Sequence, residues 1–183
     1  MVVFSGGLLR VCVGAVVVGI GISLPRQCVA AGMELESVGA RGGVSDNGNF
    51  SQIEAIVDWK LPWRWDITTD WHLQPKLNCS LGWLGAEHRS AAIATAGPAL
   101  LLKYDQFPVN LEGGSSFTLM SRDTFGHRDL GSNVQFTSYV GLNWDFTAHF
   151  RLGYRFSHMS NAGIDSQHND GLNMHMVALS YLF

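Results

Sequence analysis

The sequence is short of what usually secures a small exported domain. It contains three cysteines, and two of them, Cys12 and Cys28, fall within the first 31 residues. That segment reads as an export signal: Arg10 precedes an apolar run from Val11 to Leu24, and Cys28-Val29-Ala30-Ala31 offers small residues for cleavage. The run is shorter than the roughly 20 residues a helix needs to cross a bilayer. A short membrane anchor is the competing reading, and a lipoprotein reading of Cys28 is opposed by Arg26 and Gln27 standing where small residues are wanted. Removing the leader leaves Cys79 as the sole thiol, which excludes an intramolecular disulfide. Charge is also scarce, at 15% of residues. Without Arg10 and Arg26, ten cations face fifteen acids, a net charge of −5, and nothing in that balance points to nucleic acid. His72, His88, His127, His149 and His168 share no ligand spacing, so no metal is expected.

What is abundant is glycine, with 21 residues, and aromatics, at 11%, a composition that favours β structure in a single domain over residues 32 to 183. The dominant pattern is a period of two. From Trp65 to Leu84, Ile67, Thr69, Trp71, Leu73, Pro75, Leu77, Cys79, Leu81 and Trp83 share one face, and Asp66, Asp70, His72, Lys76, Asn78 and Ser80 lie on the other. The same alternation recurs over 49 to 59 and 132 to 146. Further strands are expected over 33 to 41, 90 to 103, 107 to 118, 148 to 160 and 171 to 183, making eight. Alternation alone fits a soluble ligand-binding barrel with the pattern reversed. Three features favour an all-β, eight-stranded antiparallel transmembrane β-barrel instead. Several strands are long enough to cross a bilayer when tilted. Trp71 and Trp83 are spaced like two interfacial girdles, roughly 30 Å apart for tilted strands. The chain ends on Tyr181-Leu182-Phe183, a strand closing on an aromatic residue, which resembles the C-terminal signature of bacterial outer-membrane barrels. Short connections are expected on the periplasmic side at 60 to 64, 104 to 106 and near 147, and longer ones outside at 42 to 48, 119 to 131 and 161 to 170; the 85 to 89 connection is short for that side. Pro75 cannot donate to a ladder, so a bulge or break is expected there.

The chemistry-bearing residues gather between Phe156 and Asn173. Strand parity sends His158, Ser160 and Asn173 to the outer face, with Arg151, Arg155, Ser157 and Met159 facing the lumen. Residues two apart on one face lie about 6.6 to 7 Å apart along the strand, a gap a histidine can close toward a serine hydroxyl. If the hairpin sets His158 opposite Asn173, their side chains begin about 5 Å apart. Ester cleavage needs a base in reach of a hydroxyl, a group that fixes the base, and donors where the oxyanion develops. His158, Ser160 and the Asn161-Ala162-Gly163 turn supply candidates for each. The plain alternative is a polar loop whose Gly and Asn are turn residues. Against it stands the cost of placing His, Ser and Asn together on a lipid-facing surface. Arg122, His127 and Arg128 read first as a solvated loop face, with lipid phosphate contact as the alternative. His175 reads as packing or interfacial.

Two blocks carry a family resemblance: Leu130-Gly131-Ser132 leading into the sixth strand, and His158-Met159-Ser160-Asn161-Ala162-Gly163 with Asn169-Asp170-Gly171. Here the sequence resembles the lipid A 3-O-deacylase (PagL) family of outer-membrane esterases. The resemblance implies a cell outer membrane protein whose substrate is lipid A of lipopolysaccharide, cleaved at the ester-linked 3-hydroxyacyl chain of position 3, with no metal and no other cofactor. It makes Ser160 the nucleophile, His158 the base, and Asn161 and Gly163 the oxyanion contributors. The family's glutamate is matched by Asn173. An amide can orient an imidazole but cannot neutralise its cation. The expectation is therefore an enzyme adapted to Asn173 or one drawing an acid from Asp165 or Asp170, with an inactive homologue left open. A non-catalytic barrel with a structural or adhesive role is the rival, and a homodimer stays open as a partner.

Overall fold

In a computed structural model the described residues are 32–46, 49–163 and 171–183. The expected export signal, residues 1 to 31, lies outside them. Eight strands form the barrel: β1 (Glu34–Ser45), β2 (Ser51–Lys60), β3 (Trp71–Ala86), β4 (Arg89–Tyr104), β5 (Phe107–Met120), β6 (Val134–Asp145), β7 (Phe150–Ser160) and β8 (Leu172–Leu182). Each pairs antiparallel with its sequence neighbours, and β1 pairs with β8 to close the ring. Closure leaves no open edge, which is what a sheet needs in hydrocarbon, where unpaired amides have no water to bond.

The parity read from sequence holds, and it inverts the usual order of a soluble protein. Ile53, Leu81, Trp83, Leu111, Val140, Leu142, Val177 and Leu179 are exposed on the outside. The lumen of the lower half is charged. Lys76, 0% exposed, has its Nζ 3.0 Å from Glu112, 3.2 Å from Asp58 and 3.4 Å from Glu36. Arg155 pairs with Glu112 at 3.0 Å and lies 3.4 Å over the Tyr139 ring, and Arg151 bridges Asp145 and Glu36. Around the lower rim Trp71 stacks on Tyr104, and Trp144, Phe146, Phe150, Tyr181 and Phe183 form a chain of ring contacts. Such a belt suits a membrane interface.

The upper half of the interior is apolar. Phe50, Leu84, Ile93, Met120, Phe125, Leu130, Met159, Leu172, Met174 and Met176 belong to one buried cluster. Phe125 reaches it from the β5–β6 connection, residues 121–133, which folds back over the barrel mouth through the short strand pair Thr124–Phe125 and Arg128–Asp129. Its ring packs edge-on against Phe50 at 5.3 Å. The two longest connections between barrel strands, 121–133 and 161–171, leave this upper end, which is the external one.

Several expected boundaries shift. The third strand begins at Trp71, not Trp65, because Thr68 Oγ1 accepts the backbone N–H groups of Asp70 and Trp71 and caps a turn within the alternating run. Trp65–Asp66 then folds back onto Leu73 and His72 as a short strand. The β2–β3 connection therefore covers 61–70, longer than expected. Pro75 sits in an unbroken register opposite Leu100. Its carbonyl accepts the Leu61 N–H, so its ring nitrogen faces Leu61 just past the end of β2, and the Gln74 side-chain amide donates to the Leu61 carbonyl at 2.9 Å in its place. The short β3–β4 connection is a two-residue hairpin in which Glu87 and His88 both take positive φ. At the other end, β1 runs on to Ser45, so the loop expected from residue 42 shrinks to a tip.

The Lys76 cluster yields a stability prediction. Lys76→Met leaves Glu36, Asp58 and Glu112 facing one another without their shared cation, and the barrel should lose about 3–5 kcal/mol. Denaturant unfolding in detergent micelles should show the lower midpoint.

Candidate active site

The outer ends of β7 and β8 are held from inside. Met159, between His158 and Ser160, is 4% exposed in the apolar cluster, and Leu172 and Met174, flanking Asn173, lie there too. Alternation then turns His158, Ser160 and Asn173 outward. His158 pairs in register with Asn173 on β8 and with Ser138 on β6, and Ser160 pairs with Phe136. His158 is exposed, whereas Ser160 and Asn173 are half-buried.

The imidazole is fixed on two sides. His158 Nδ1 lies 2.7 Å from Asn173 Oδ1. Gly171, with φ of +55°, runs beneath the ring: a Cβ there would come within 2.9 Å of His158 Cε1 and 3.5 Å of Nε2. Glycine is thus required twice at this position, for its left-handed backbone and for the space the ring occupies. Nδ1 is taken by Asn173, so Nε2 is the ring nitrogen left for another partner, and Ser160 follows two residues along on the same face.

Asn173 itself is held by a residue not singled out in the sequence. Its Nδ2 donates to Asp46 Oδ2 at 3.0 Å, and the Asp46 backbone N–H points to the Asn173 carbonyl at 3.3 Å. Asp46 follows β1, 127 positions away in the chain, and no local pattern marks it. Only the β1–β8 register, with Ser45 opposite Met174, places it there. Asp165 and Asp170, the expected alternative acids, and His168 lie outside the described residues.

Past Ser160 the chain turns through Ala162 and Gly163, both with positive φ. Asn161 is 1% exposed, and its Oδ1 accepts the Gly163 N–H at 2.9 Å. In this arrangement the Gly163 amide serves the Asn161 side chain, an Asx-type turn, and is not turned to Ser160.

Two further histidines among the described residues have their own partners. His175 hydrogen-bonds the Tyr154 hydroxyl at 2.7 Å and packs on Phe156, one step further toward the membrane middle. In the 121–133 connection, the His127 N–H binds Glu87. Among the described residues, no group of three or more His, Cys, Asp or Glu is placed to hold a metal ion.

Comparison with known proteins bears on the whole arrangement. The family model described as Lipid A 3-O-deacylase (PagL) matches residues 52–182. Lipid A deacylase PagL of Bordetella bronchiseptica (strain ATCC BAA-588 / NCTC 13252 / RB50) is 28% identical over 172 residues, which cover 88% of this chain and 93% of that protein. The crystal structure of the outer membrane enzyme PagL superposes with a TM-score of 0.71 at 20% identity, covering 79% of this chain and 97% of that one. The last is a likeness of fold.

Gly171 provides a test of the ring geometry. Gly171→Ala pushes the imidazole off its seat, and a misplacement of about 1 Å at a reacting site costs roughly 10²-fold in rate. Ester turnover in micelles should fall by that order while the heat-modifiable gel shift of the folded barrel persists.

Proposed function

We propose, from the premise that the chain belongs to the lipid A 3-O-deacylase (PagL) family, that Ser160 and His158 carry out the deacylation as nucleophile and base. The protein is an outer-membrane β-barrel enzyme that removes the acyl chain at position 3 of lipid A. The observation that carries the assignment is the 2.7 Å bond from His158 to Asn173 beside Ser160, on the outer wall near the external rim. A lipid A molecule in the outer leaflet can meet that wall with its ester at the level of Ser160 and its acyl chains running down past Val140 and Leu142.

In the reaction His158 Nε2 takes the Ser160 proton as Oγ attacks the ester carbonyl. The tetrahedral intermediate collapses with cleavage of the bond to the sugar oxygen, which leaves with the proton held by His158. Water, deprotonated by the same nitrogen, then attacks the acyl-serine. That bond breaks, a free 3-hydroxy fatty acid departs, and Ser160 Oγ recovers its proton. Asn161 and Gly163 contribute to oxyanion stabilisation by shaping the turn after Ser160, the buried Asn161 side chain accepting the Gly163 N–H. Residues 1 to 31 act as a cleaved export signal that delivers the barrel to the outer membrane. The reacting groups all come from one chain, so a homodimer adds surface without adding chemistry.

Mass analysis of lipid A from cells making the protein tests this reading. Loss of one 3-hydroxyacyl chain is expected with the native protein and not with Ser160→Ala; lipid A unchanged by both would overturn it and favour a non-catalytic barrel. Asn161→Ala, which removes the acceptor that holds the Gly163 N–H, loosens this turn and should lower kcat by about 10²-fold. Purified enzyme in micelles gives that rate.

A further inference from the structure

The base assignment leaves one question of chemistry, and resting on that assignment, the geometry answers it. His158 can accept a proton from Ser160 only if Nε2 carries the lone pair, which requires the proton on Nδ1. A carboxylate beside Nδ1 would impose that tautomer because an ionised carboxylate only accepts. An amide does not. Turned one way, its oxygen accepts from Nδ1; turned the other, its NH₂ donates to Nδ1, the ring proton moves to Nε2, and the base is lost.

Asp46 decides between the two. Its Oδ2 lies 3.0 Å from Asn173 Nδ2, and an ionised carboxylate bonds only the NH₂ end of an amide. The oxygen end is thereby left facing His158 Nδ1 at 2.7 Å. The backbone bond from Asp46 to the Asn173 carbonyl ties the two strand ends at the same level. Asp46 precedes the segment 52–182 matched by the family model, whereas Asn173 lies within it.

We infer that Asp46 is a positioning residue: through Asn173 it locks the His158 imidazole in the Nδ1-protonated tautomer and sets a negative charge behind the imidazolium formed during turnover. Asn173 and Asp46 together supply the orientation and the charge that one carboxylate would give alone.

The test combines kinetics with imidazole ¹⁵N NMR on the full-length mature barrel in micelles. Asp46→Asn keeps the size of the side chain but lets either end meet Asn173. It should lower kcat about tenfold or more with KM little changed, because ground-state contact with the lipid is untouched. Asp46→Glu should recover part of the loss. In an Asn173→Glu background the loss from Asp46→Asn should shrink to about twofold or less, since a carboxylate at 173 needs no orienting partner. In the NMR spectrum, recorded on Ser160→Ala protein, His158 should be Nδ1-protonated, and the Nε2-protonated form should appear on adding Asp46→Asn. An unchanged rate or tautomer in Asp46→Asn would overturn the inference, as would an equal loss in both backgrounds. If Ser160→Ala is inactive in the same assay while Asp46→Asn is fully active, only the role of Asp46 fails; an active Ser160→Ala overturns the serine reading beneath it.

Discussion

The ladder between β1 and β8 is the constraint on which the rest depends. It joins the first and last strands of the barrel, so the sheet closes and no open edge meets lipid. Its register also sets the site. Ser45 faces Met174, and the next pair outward is Asp46 with Asn173. A slip of one residue would send every outward side chain of β8 into the lumen and part Asp46 from Asn173.

The interior supports this arrangement in two layers of different chemistry. Below, Lys76, Arg151 and Arg155 are each bound to acids, so these three cations are compensated. Above, directly behind the site, the barrel is filled with methionines, leucines and phenylalanines under a connection that folds in Phe125. Catalytic groups must be held to fractions of an ångström, and a packed apolar floor behind Met159, Leu172 and Met174 does this better than a wet pore. The outer wall bears the cost: His158, Ser160 and Asn173 face the membrane, with His158 bonded to Asn173 and Asn173 to Asp46.

Much of this was legible in the chain. The period of two named the strands and their faces correctly, because lipid and a polar lumen impose opposite demands on alternate residues of every strand. The family block from His158 to Gly163 marked the stretch in which the structure sets His158 against Asn173. Three things escaped for physical reasons. The Thr68 turn broke a run whose alternation continued unbroken through it, since a hydroxyl cap leaves no trace in hydropathy. Pro75 was rescued by the side chain beside it, a donor that pattern reading does not count. Asp46 belonged to an unremarkable loop until closure brought it beside Asn173, because a contact across 127 positions follows from register alone.

The central claim is that this outward-facing row is a working hydrolytic site in which His158 activates Ser160. Mass spectrometry of the folded barrel after exposure to a phosphonate analogue of a 3-hydroxyacyl ester tests it most directly. The account predicts a single adduct, on Ser160, that disappears when the His158 imidazole is removed. An adduct on another residue, or labelling of Ser160 that does not need His158, would contradict it.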